Sequence, residues 1–314
     1  MNIGIDMMGG DFAPLQAVRS LVTYTSSGLA KDNSLFCIGN ESQLKALLDK
    51  INFSHSSIHI IHASEVIGMH EHPTKALKEK PMSSIAIGFE LLAKGKIDAF
   101  ISAGNTGAML VGALFSIKAI SGILRPSIST IIPKLNGGTG LLLDVGLNAD
   151  CKPEYLNQFA ILGSLYAKNV LGIADPKVGL LNVGEEEGKG NILAQATYPL
   201  LKENKQIHFV GNIEGRDIFM DKADVIVCDG FTGNIILKMA ESIFEVGTQR
   251  KIEDNYMNRF DYENHGGTPV LGVSKPVIIG HGISKEKAFY NMILLAEKMI
   301  QSQVCDKIVE SFKA

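Results

Sequence analysis

Two glycine-rich segments contain the residue types best suited to binding an anion. The segment GNTG at positions 104–107 ends an apolar run that starts at Asp98, and the similar segment GFTGN at positions 230–234 ends a run that starts at Asp224. Glycines allow a tight turn and let the backbone approach a ligand closely. The unpaired N–H groups and the positive dipole end of a following helix favour phosphate. Each segment therefore predicts a phosphate-binding turn between a strand and a helix.

The same turns also fit a purely structural role. Asn and Thr side chains often cap a helix by accepting a hydrogen bond from a backbone N–H in its first turn, so Asn105 or Thr106 could serve only as a cap. For a single turn the capping interpretation is favoured. Two similar turns favour a binding function, because two cradles can hold two phosphates or two parts of one ligand. Both interpretations remain open at the level of the sequence.

Other nucleotide-binding and catalytic motifs do not fit the chain. The glycines of GGTGLLLDVG at 137–146 precede a strand, whereas a dinucleotide fingerprint follows a strand and opens a helix. The segment GEEEGKG at 184–190 is one residue short of a P-loop, lacks a Ser or Thr after Lys189, and carries three acids that repel a polyphosphate. No G-x-S-x-G nucleophile elbow occurs. We expect the segment HEH at 70–72 to lie in a solvated loop rather than at a metal site, and we expect no cofactor.

Short β-rich runs alternate along the chain with segments of helical periodicity, including Lys152–Leu171 and Asn191–Glu203. This alternation predicts an α/β fold with a mostly parallel sheet and helices on both faces. Ligands bind such sheets beyond the carboxyl ends of the strands, where this chain concentrates Gly, Asn and Asp. The predicted strands are NIGID, SLFCIG, SIHIIHA, IDAFISA, SISTIIP, GLLLDVG, KVGLLNVG, IHFVG, DVIVCDG and PVIIGHG.

The composition is that of an ordinary globular protein, and nothing in it suggests nucleic acid. Of 314 residues, 46% are hydrophobic and 20% are charged, and the formal net charge is −3. The four cysteines lack paired or metal-type spacing, which indicates reduced thiols, and Cys228 is expected to pack in the core. We recognise no targeting segment. The run Ala99–Ile117 approaches the roughly 20 apolar residues of a membrane span, but its GNTG interruption favours a strand, a turn and a helix.

Seven motifs occur in an order that resembles one protein family. They are IGIDMMGGDFAP, SAGNTGA, LLLDVGLNADC, VGLLNVGEEEGKGN, GNIEGRDI, DVIVCDGFTGN and PVIIGHG, and they cover nearly the whole chain. The series is similar to that of the bacterial phosphate acyltransferases, the PlsX-type acyl-acyl carrier protein:phosphate transacylases of phospholipid synthesis. The resemblance implies transfer of a fatty acyl group from acyl carrier protein to inorganic phosphate, giving acyl phosphate. It also implies a three-layer, Rossmann-like α/β fold related to isopropylmalate dehydrogenase and phosphotransacetylase, usually in a homodimer.

This activity is compatible with the absence of a catalytic triad. Phosphate is already an anion at neutral pH, and so we expect it to need no general base. The pantetheine thiol has a pKa of about 8.5 by analogy with cysteine, so it leaves without strong acid help. The remaining tasks are to position phosphate against the thioester carbonyl and to stabilise the oxyanion that forms. We expect direct attack without an acyl-enzyme.

The resemblance and the residue types together suggest roles for individual side chains. Lys189 is the candidate to counter the charge of phosphate or of the oxyanion, with a salt bridge to one of residues 185–187 as the alternative. Asn191 is expected to cap the next helix, and Asp11 either caps the helix of Pro14 or lines the cleft. The candidate catalytic residues are Lys189, Asn234 and His265. The candidate phosphate- and substrate-binding residues are Gly10, Asp11, Gly104, Asn105, Thr106, Gly107, Asn148, Asn191, Asp229, Gly230, Thr232 and Gly233.

The chain departs from the family pattern in two segments. One is HEHPTKALKEK at 70–80, where Lys78 stands in place of an Arg and cannot make the bidentate contact of Arg. The other is Ser242–Phe260, which is shorter than the apolar hairpin common in the family. Its Ile252, Tyr256 and Phe260 could form one narrow stripe, but a helix end packed on a partner subunit is the favoured interpretation. We predict a single α/β domain over residues 1–314 with a late helical excursion at 241–262. We also predict a cytoplasmic enzyme attached at most weakly to the inner membrane face.

The predicted partners are acyl carrier protein, inorganic phosphate and a second copy of the chain in a homodimer. Transient contact with a membrane glycerol-phosphate acyltransferase is also expected, whereas nucleic acid is not. Acyl carrier proteins are acidic, so a basic surface should meet them, and the candidates are Arg250, Lys251, Arg259 and Lys275. Two alternative functions stay open: a coenzyme A-dependent phosphotransacetylase and a non-catalytic anion-binding module.

Overall fold

The β-rich runs of the sequence form strands in the computed structural model, which describes residues 1–28 and 33–313. The strands are β1 (Asn2–Asp6), β2 (Ser34–Gly39), β3 (Ile58–His62), β4 (Ala99–Ser102), β5 (Ser127–Pro133), β6 (Thr139–Leu143), β7 (Lys177–Asn182), β8 (His208–Glu214), β9 (Val225–Val227), β10 (Thr268–Leu271) and β11 (Val277–Ile279). The helices are α1 (Leu15–Ser26), α2 (Glu41–Lys50), α3 (Pro73–Glu79), α4 (Ser84–Ala93), α5 (Thr106–Gly112), α6 (Pro153–Tyr166), α7 (Ile192–Glu203), α8 (Gly230–Gln249), α9 (Glu286–Gln301) and α10 (Val304–Lys313).

Contacts between Cα atoms divide the chain into two units. Unit 1 comprises Met1–Lys118 and Glu263–Gln301, and unit 2 comprises Ala119–Tyr262 and Ser302–Ala314. Each unit has its own strands, helices and buried core. The single domain expected over residues 1–314 stays a prediction.

The six strands of unit 1 follow the order β3-β2-β1-β4-β11-β10. The pairs are parallel except for β10 and β11, which are antiparallel, with Thr268 opposite Ile279. Every residue of β4 is buried, so both faces of the sheet are covered at this strand. Helix α1 packs against α9, and α4 packs against α5. The carboxyl ends of the parallel strands β1, β4 and β11 therefore meet at one edge.

Two glycines allow close packing of the helices on β4. Phe100 of β4 and Phe89 of α4 meet edge to face, with ring centroids 5.2 Å apart. A Cβ atom on Gly88 would lie 2.2 Å from the Phe100 ring, and one on Gly112 would lie 2.2 Å from the Phe89 ring. Both helices can thus approach the aromatic pair only because these positions lack side chains.

The five strands of unit 2 follow the order β5-β6-β9-β7-β8. Only β5 and β6 are antiparallel, and β6, β9, β7 and β8 run parallel to their neighbours. Val178 of β7 lies opposite Val225 of β9, so the residues that follow these two strands emerge at the same edge. Helix α6 packs against α7 and α10. This arrangement brings the starts of α7 and α8 to the carboxyl edge of the sheet.

The secondary structure largely agrees with the sequence-based expectation. All ten predicted strands are present, with ends that differ by a few residues, and the run from Ala99 forms β4, a turn and α5 as expected. Strand β10 was not predicted, because it has only four residues and contains Pro269, a residue that weakens a strand prediction. Within residues 1–28 and 33–313, no helix combines the length and the apolar character needed to cross a membrane.

The narrow apolar stripe that Ile252, Tyr256 and Phe260 could have formed is absent. Helix α8 ends at Gln249, and the next helical turn spans Met257–Phe260, so Ile252 lies on neither. Phe260 is only 5% exposed and packs edge-on against Phe219, with centroids 5.3 Å apart. The stripe, one of two possibilities for this segment, is absent because Phe260 is part of the unit-2 core rather than of an exposed helix face.

Hydrogen bonds attach the same segment to the β5–β6 hairpin. The Tyr256 hydroxyl donates to the carbonyl of Pro133 at 3.1 Å. The Arg259 guanidinium donates to the carbonyls of Lys134 and Gly138 at 3.0 and 2.6 Å. Arg259, one of the basic residues considered for carrier-protein docking, therefore has a structural role in unit 2.

The close packing of α4 on β4 gives a test of the fold. Gly88→Ala introduces a methyl group against the Phe100 ring, and we expect the free energy of unfolding to fall by about 1–3 kcal/mol, the usual cost of overpacking. Urea unfolding monitored by circular dichroism measures the change. Gly215→Ala is the control, because no atom lies within 4 Å of its Cβ position. Equal unfolding midpoints for the two variants would contradict the tight contact.

Candidate functional site

Asn105, at the carboxyl end of β4 in unit 1, caps helix α5. Its Oδ1 accepts a hydrogen bond from the backbone N–H of Ala108 at 3.0 Å. Its Nδ2 donates to the carbonyls of Gly68, Met69 and Glu71 at 3.0–3.2 Å. The capping interpretation is confirmed, and the amide also fixes the preceding loop. Direct phosphate binding by this side chain stays a prediction.

The donors that remain at this turn are mainly backbone groups. In the described part of the chain, the N–H groups of Thr106 and Gly107 donate to no protein acceptor. The Thr106 side chain is exposed. A Cβ atom on Gly107 would lie 2.3 Å from Pro73 of α3, so this glycine permits helix packing. The 104–107 turn therefore offers two amides and one hydroxyl to a ligand.

A buried carboxylate that the sequence analysis did not single out orders this turn. Asp6 accepts hydrogen bonds from the Ser102 hydroxyl at 2.6 Å and from the Met8 N–H at 2.9 Å, and the N–H of Gly104 donates to Ser102 Oγ. Burial raises the pKa of Asp6, and the hydrogen bond from Ser102 opposes this shift. A Cβ atom on Gly9 would lie 2.5 Å from the Gly104 nitrogen. The sequence feature that could have indicated Asp6 is an acidic residue at the end of an apolar strand.

The other unit-1 candidates lie on neighbouring loops. Gly10 has φ +96°, and the N–H of Asp11 donates to the carbonyl of Gly282 at 2.7 Å. Pro14 occupies the N-cap position of α1 without a side-chain capping bond. The prediction that Asp11 caps this helix is therefore wrong, and its side chain is exposed. His265 is half-buried, and its catalytic role stays a prediction.

The second glycine-rich turn, in unit 2, is capped differently from the first. Asp229 precedes α8, and its two oxygens accept hydrogen bonds from the N–H and the hydroxyl of Thr232, both at 2.9 Å. The N–H of Gly230 donates to the carbonyl of Asn148 at 2.7 Å. The Thr232 hydroxyl is therefore already paired within the turn.

Asp144 organises the loop beneath this turn. Its Oδ2 accepts hydrogen bonds from the backbone N–H and the side-chain amide of Asn148, at 2.6 and 2.8 Å. Burial raises the pKa of Asp144, and the hydrogen bonds from Asn148 oppose this shift. A Cβ atom on Gly233 would lie 1.8 Å from the Asp144 carbonyl oxygen. The Asn234 amide donates to the carbonyl of Val145 at 3.1 Å, so both predicted asparagines support the loop.

Lys189 lies in the acidic loop at 184–190 without pairing to it. Glu185 pairs with Lys222 at 2.5 Å, and Glu187 pairs with Lys202 at 2.9 Å. Over the described residues, the Lys189 ammonium forms no ion pair or hydrogen bond, and its side chain is exposed. The alternative prediction of a salt bridge to these glutamates is wrong. Lys189 is therefore a cation available to a ligand.

The same loop contributes to a group of carboxylates. Those of Glu185, Glu214 and Asp217 have oxygens within 4.8 Å of one another. Lys222 pairs with Glu185 and Asp217, and Arg216 pairs with Glu214. These two cations offset part of the negative charge of the three carboxylates.

Asn191 caps α7, as the sequence predicts. Its Oδ1 accepts a hydrogen bond from the N–H of Ala194 at 2.8 Å. Among the described residues, its side-chain NH₂ group and the backbone N–H groups of Ile192 and Leu193 have no protein acceptor. The Asn182 amide donates to the carbonyl of Lys189 at 3.1 Å. The start of α7 thus combines several open donors with a nearby lysine of the same loop.

A cavity of about 370 Å³ lies within unit 2, bordered by the starts of α7 and α8. Asn191, Asp229 and Thr232 all line it, so three predicted residues from two separate motifs meet at one site. The wall is otherwise largely apolar. Its apolar residues are Leu156, Leu180, Leu181, Val183, Leu193, Ala194, Ile218, Cys228, Ile236 and Met239.

Sequence reasoning missed this aliphatic wall. In the sequence, these side chains have the same periodicity as ordinary core residues. Cys228 was expected to pack in the core, and it is indeed buried. Burial raises the pKa of its thiol well above the ordinary value, which disfavours the thiolate needed by a nucleophile.

The motif series agrees with a comparison to known families. A model of the family described as fatty acid synthesis protein matches residues 1–252 and 248–307. The chain belongs to this family. A phosphate acyltransferase of Dictyoglomus turgidum is 44% identical over 99% of this chain and 97% of its own length. A phosphate acyltransferase of Halothermothrix orenii is 44% identical over 97% of this chain and 96% of its own length. The family predicted from the seven motifs is confirmed, and so is the class of enzyme, an acyltransferase.

Solved structures support the fold. A phosphotransacetylase from Streptococcus pyogenes superposes with a TM-score of 0.69 at 16% identity, covering 96% of this chain and 94% of that one. The EutD phosphotransacetylase from Staphylococcus aureus gives a TM-score of 0.65 at 17% identity with the same coverage. At such identities the likeness shows the fold alone. The predicted mostly parallel, phosphotransacetylase-like α/β fold is confirmed.

The contacts of Asn105 lead to a stability prediction. Asn105→Ala removes the cap of α5 and leaves three loop carbonyls without their donor. We expect the free energy of unfolding to fall by about 2 kcal/mol, the upper range for a lost cap, as measured by chemical denaturation. Thr106→Val is the matched control, because the Thr106 hydroxyl has no protein partner among the described residues; its stability should stay within about 0.5 kcal/mol of the parent. Equal losses of stability in the two variants would contradict the assignment of Asn105 as the cap of α5.

Proposed function

We propose that this protein transfers a fatty acyl group from acyl carrier protein to inorganic phosphate and releases acyl phosphate for phospholipid synthesis. Family membership and full-length similarity to proteins named phosphate acyltransferase support acyl transfer to phosphate. The observation that carries the proposal is an apolar cavity in unit 2 with open N–H donors at its polar end. Such a site suits a molecule with a hydrocarbon tail and an anionic or oxyanionic head.

The start of α7 supports binding of the charged part. Helix α7 spans 12 residues, so the first-turn amides and the positive dipole end favour an anion there. The side-chain NH₂ group of Asn191 adds a donor, and Lys189 supplies a full positive charge from the same loop. Because Lys189 is not neutralised by the adjacent glutamates, its charge remains available to phosphate or to an oxyanion.

The wall of the cavity supports binding of the hydrocarbon part. Three of its polar side chains already have protein partners: Asp229 accepts from Thr232, and the Asn182 amide donates to the carbonyl of Lys189 outside the wall. Paired polar groups do not require a polar ligand, whereas an aliphatic wall favours apolar contact. An acyl chain satisfies this wall better than a sugar or a nucleotide would.

The proposed reaction is one direct displacement. A phosphate oxygen attacks the thioester carbonyl carbon, and the electron pair of the C=O bond moves onto oxygen. As the C=O bond re-forms, the C–S bond breaks and the pantetheine thiolate leaves. Phosphate is already an anion near neutral pH, and its ionised oxygen can attack directly, so this step needs no general base. Lys189 and Asn191 are proposed to stabilise the oxyanion, an interaction that is often the largest catalytic term.

The remaining predicted residues have proposed supporting roles. The amides and the Thr106 hydroxyl of the 104–107 turn form a second phosphate-binding element, with Gly10 and Asp11 on an adjacent loop of unit 1. Asn234 supports the loop after β6, and a catalytic role for His265 stays a prediction. If the turn binds phosphate, Thr106→Val raises the KM for phosphate without loss of stability.

The partners are also proposed. Acyl carrier protein is expected to dock on exposed basic residues such as Arg250 and Lys251, since Arg259 is bound to hairpin carbonyls. Charge complementarity of this kind mainly increases the association rate. A homodimer, a cytoplasmic location and transient contact with a membrane glycerol-phosphate acyltransferase complete the proposal.

An acyl-donor comparison tests the function. The purified protein is incubated with ³²P-phosphate and palmitoyl-acyl carrier protein, palmitoyl-coenzyme A, acetyl-coenzyme A or no acyl donor, and labelled acyl phosphate is measured. We expect the fastest labelling with palmitoyl-acyl carrier protein. Labelling with acetyl-coenzyme A alone would instead indicate a phosphotransacetylase. Phosphate binding without any product would indicate a non-catalytic module.

Lys189→Met tests the proposed cation. The variant keeps most of the apolar stem and removes the charge, so we expect kcat/KM for phosphate to fall by about 100-fold or more, as for other oxyanion donors. Stability should not change, because the ammonium has no partner among the described residues. Lys205→Met, at another exposed lysine of unit 2, is the control. Full activity of Lys189→Met would exclude the catalytic role.

A further inference from the structure

We propose that the unit-2 cavity holds the acyl chain and that Ala194 and Ile236 in its wall limit the chain length. The inference rests on the proposed acyl transfer and deepens it, since it assigns the chain-length preference to particular side chains. Ala194 lies in the first turn of α7, and Ile236 lies on the face of α8 that also carries Thr232.

The burial of the lining residues gives the cavity a direction. Val183 and Met239 are 81% and 59% exposed, whereas Leu156 and Leu180 are 2% and 1% exposed. The wall therefore leads from the surface of unit 2 towards its core. A flexible hydrocarbon chain can follow such a path, and each methylene that enters loses contact with water.

The polar residues are grouped at the ends of strands and the starts of helices. Asn182 ends β7, Asn191 caps α7 and Asp229 caps α8. The open NH₂ group of Asn191 can bind the carbonyl or phosphoryl head of a ligand. The tail of the same ligand would then lie against Leu180, Ala194 and Ile236.

The size of the cavity fits this role. Its volume of about 370 Å³ lies in the usual range for small-molecule sites, roughly 300–1,000 Å³. Ala194 contributes only a methyl group to the wall and is 8% exposed. A larger residue at this position would therefore occupy space otherwise open to the chain.

Unit 1 contains a second apolar cavity that provides a matched control. It measures about 280 Å³ and is lined by residues of α3, α4 and the segment from α5 onward, including Ala86 and Phe89. None of the predicted phosphate-binding residues lines it. Ala86→Leu adds the same atoms to this cavity as Ala194→Leu adds to the cavity of unit 2.

Binding of n-alkyl phosphates with 6 to 18 carbons tests the inference by isothermal titration calorimetry. For the parent protein, affinity should rise about four-fold per methylene, the transfer free energy of one CH₂ group, and then level off. In Ala194→Leu the rise should stop at a chain about three carbons shorter, because the close-packed wall has lost that space. Ala86→Leu should show the same dependence of affinity on chain length as the parent protein. The affinity of Ala194→Leu for inorganic phosphate should equal that of the parent protein.

A second variant keeps the test decisive if Ala194→Leu fails to fold. Ile236→Ala enlarges the cavity, so the affinity should continue to rise to longer chains than in the parent. A folded Ala194→Leu or Ile236→Ala with the parent profile, or a shift caused by Ala86→Leu, would overturn the inference. The labelled-phosphate assay distinguishes failure of the cavity assignment from failure of the proposed function. If acyl phosphate forms but the variants keep the parent dependence of affinity on chain length, only the cavity assignment is rejected. If no donor gives acyl phosphate, the proposed function is rejected.

Discussion

The close approach of backbone segments at glycine positions is the constraint on which the site depends. In unit 2, Gly233 lies directly over the Asp144 carbonyl, where a Cβ atom would be 1.8 Å from the oxygen. In unit 1, Gly9 lies against Gly104 in a similar way. No side chain fits at either position, so the helix starts can reach the strand ends only through glycine. In each unit, the position of the glycine-rich loop depends on such a contact.

The polar residues of the glycine-rich motifs serve this packing first. Asn105 fixes a loop and caps α5, and Asp229 binds both donors of Thr232. A side chain whose hydrogen bonds are already made has less to offer a ligand, because binding must then break an existing bond. The groups still able to bind the proposed anion are therefore mainly backbone amides, the side-chain NH₂ group of Asn191 and the ammonium group of Lys189.

Charge in unit 2 is distributed so that one lysine stays available. Glu185 and Glu187 are neutralised by Lys222 and Lys202, which lie outside their loop. Exposed ion pairs of this kind add little stability, but here they engage two of the three loop glutamates that could compete for Lys189. A loop that appears unsuitable for phosphate in the sequence, with three consecutive acids, thereby keeps a positive charge beside the capped start of α7.

The sequence by itself determined the alternation of strands and helices, the family and the caps at Asn105 and Asn191, because these follow from local periodicity and from short motifs. It did not reveal β10, whose Pro269 weakens the strand pattern, or the burial of Phe260. Nor did it determine which cation pairs with which glutamate, or that Leu156, Leu180 and Ile236 line a cavity. Partner choice and open volume depend on residues far apart in the chain, and only the tertiary structure brings them together. The same apolar periodicity describes a filled core and a cavity wall, so the difference between them is decided by packing alone.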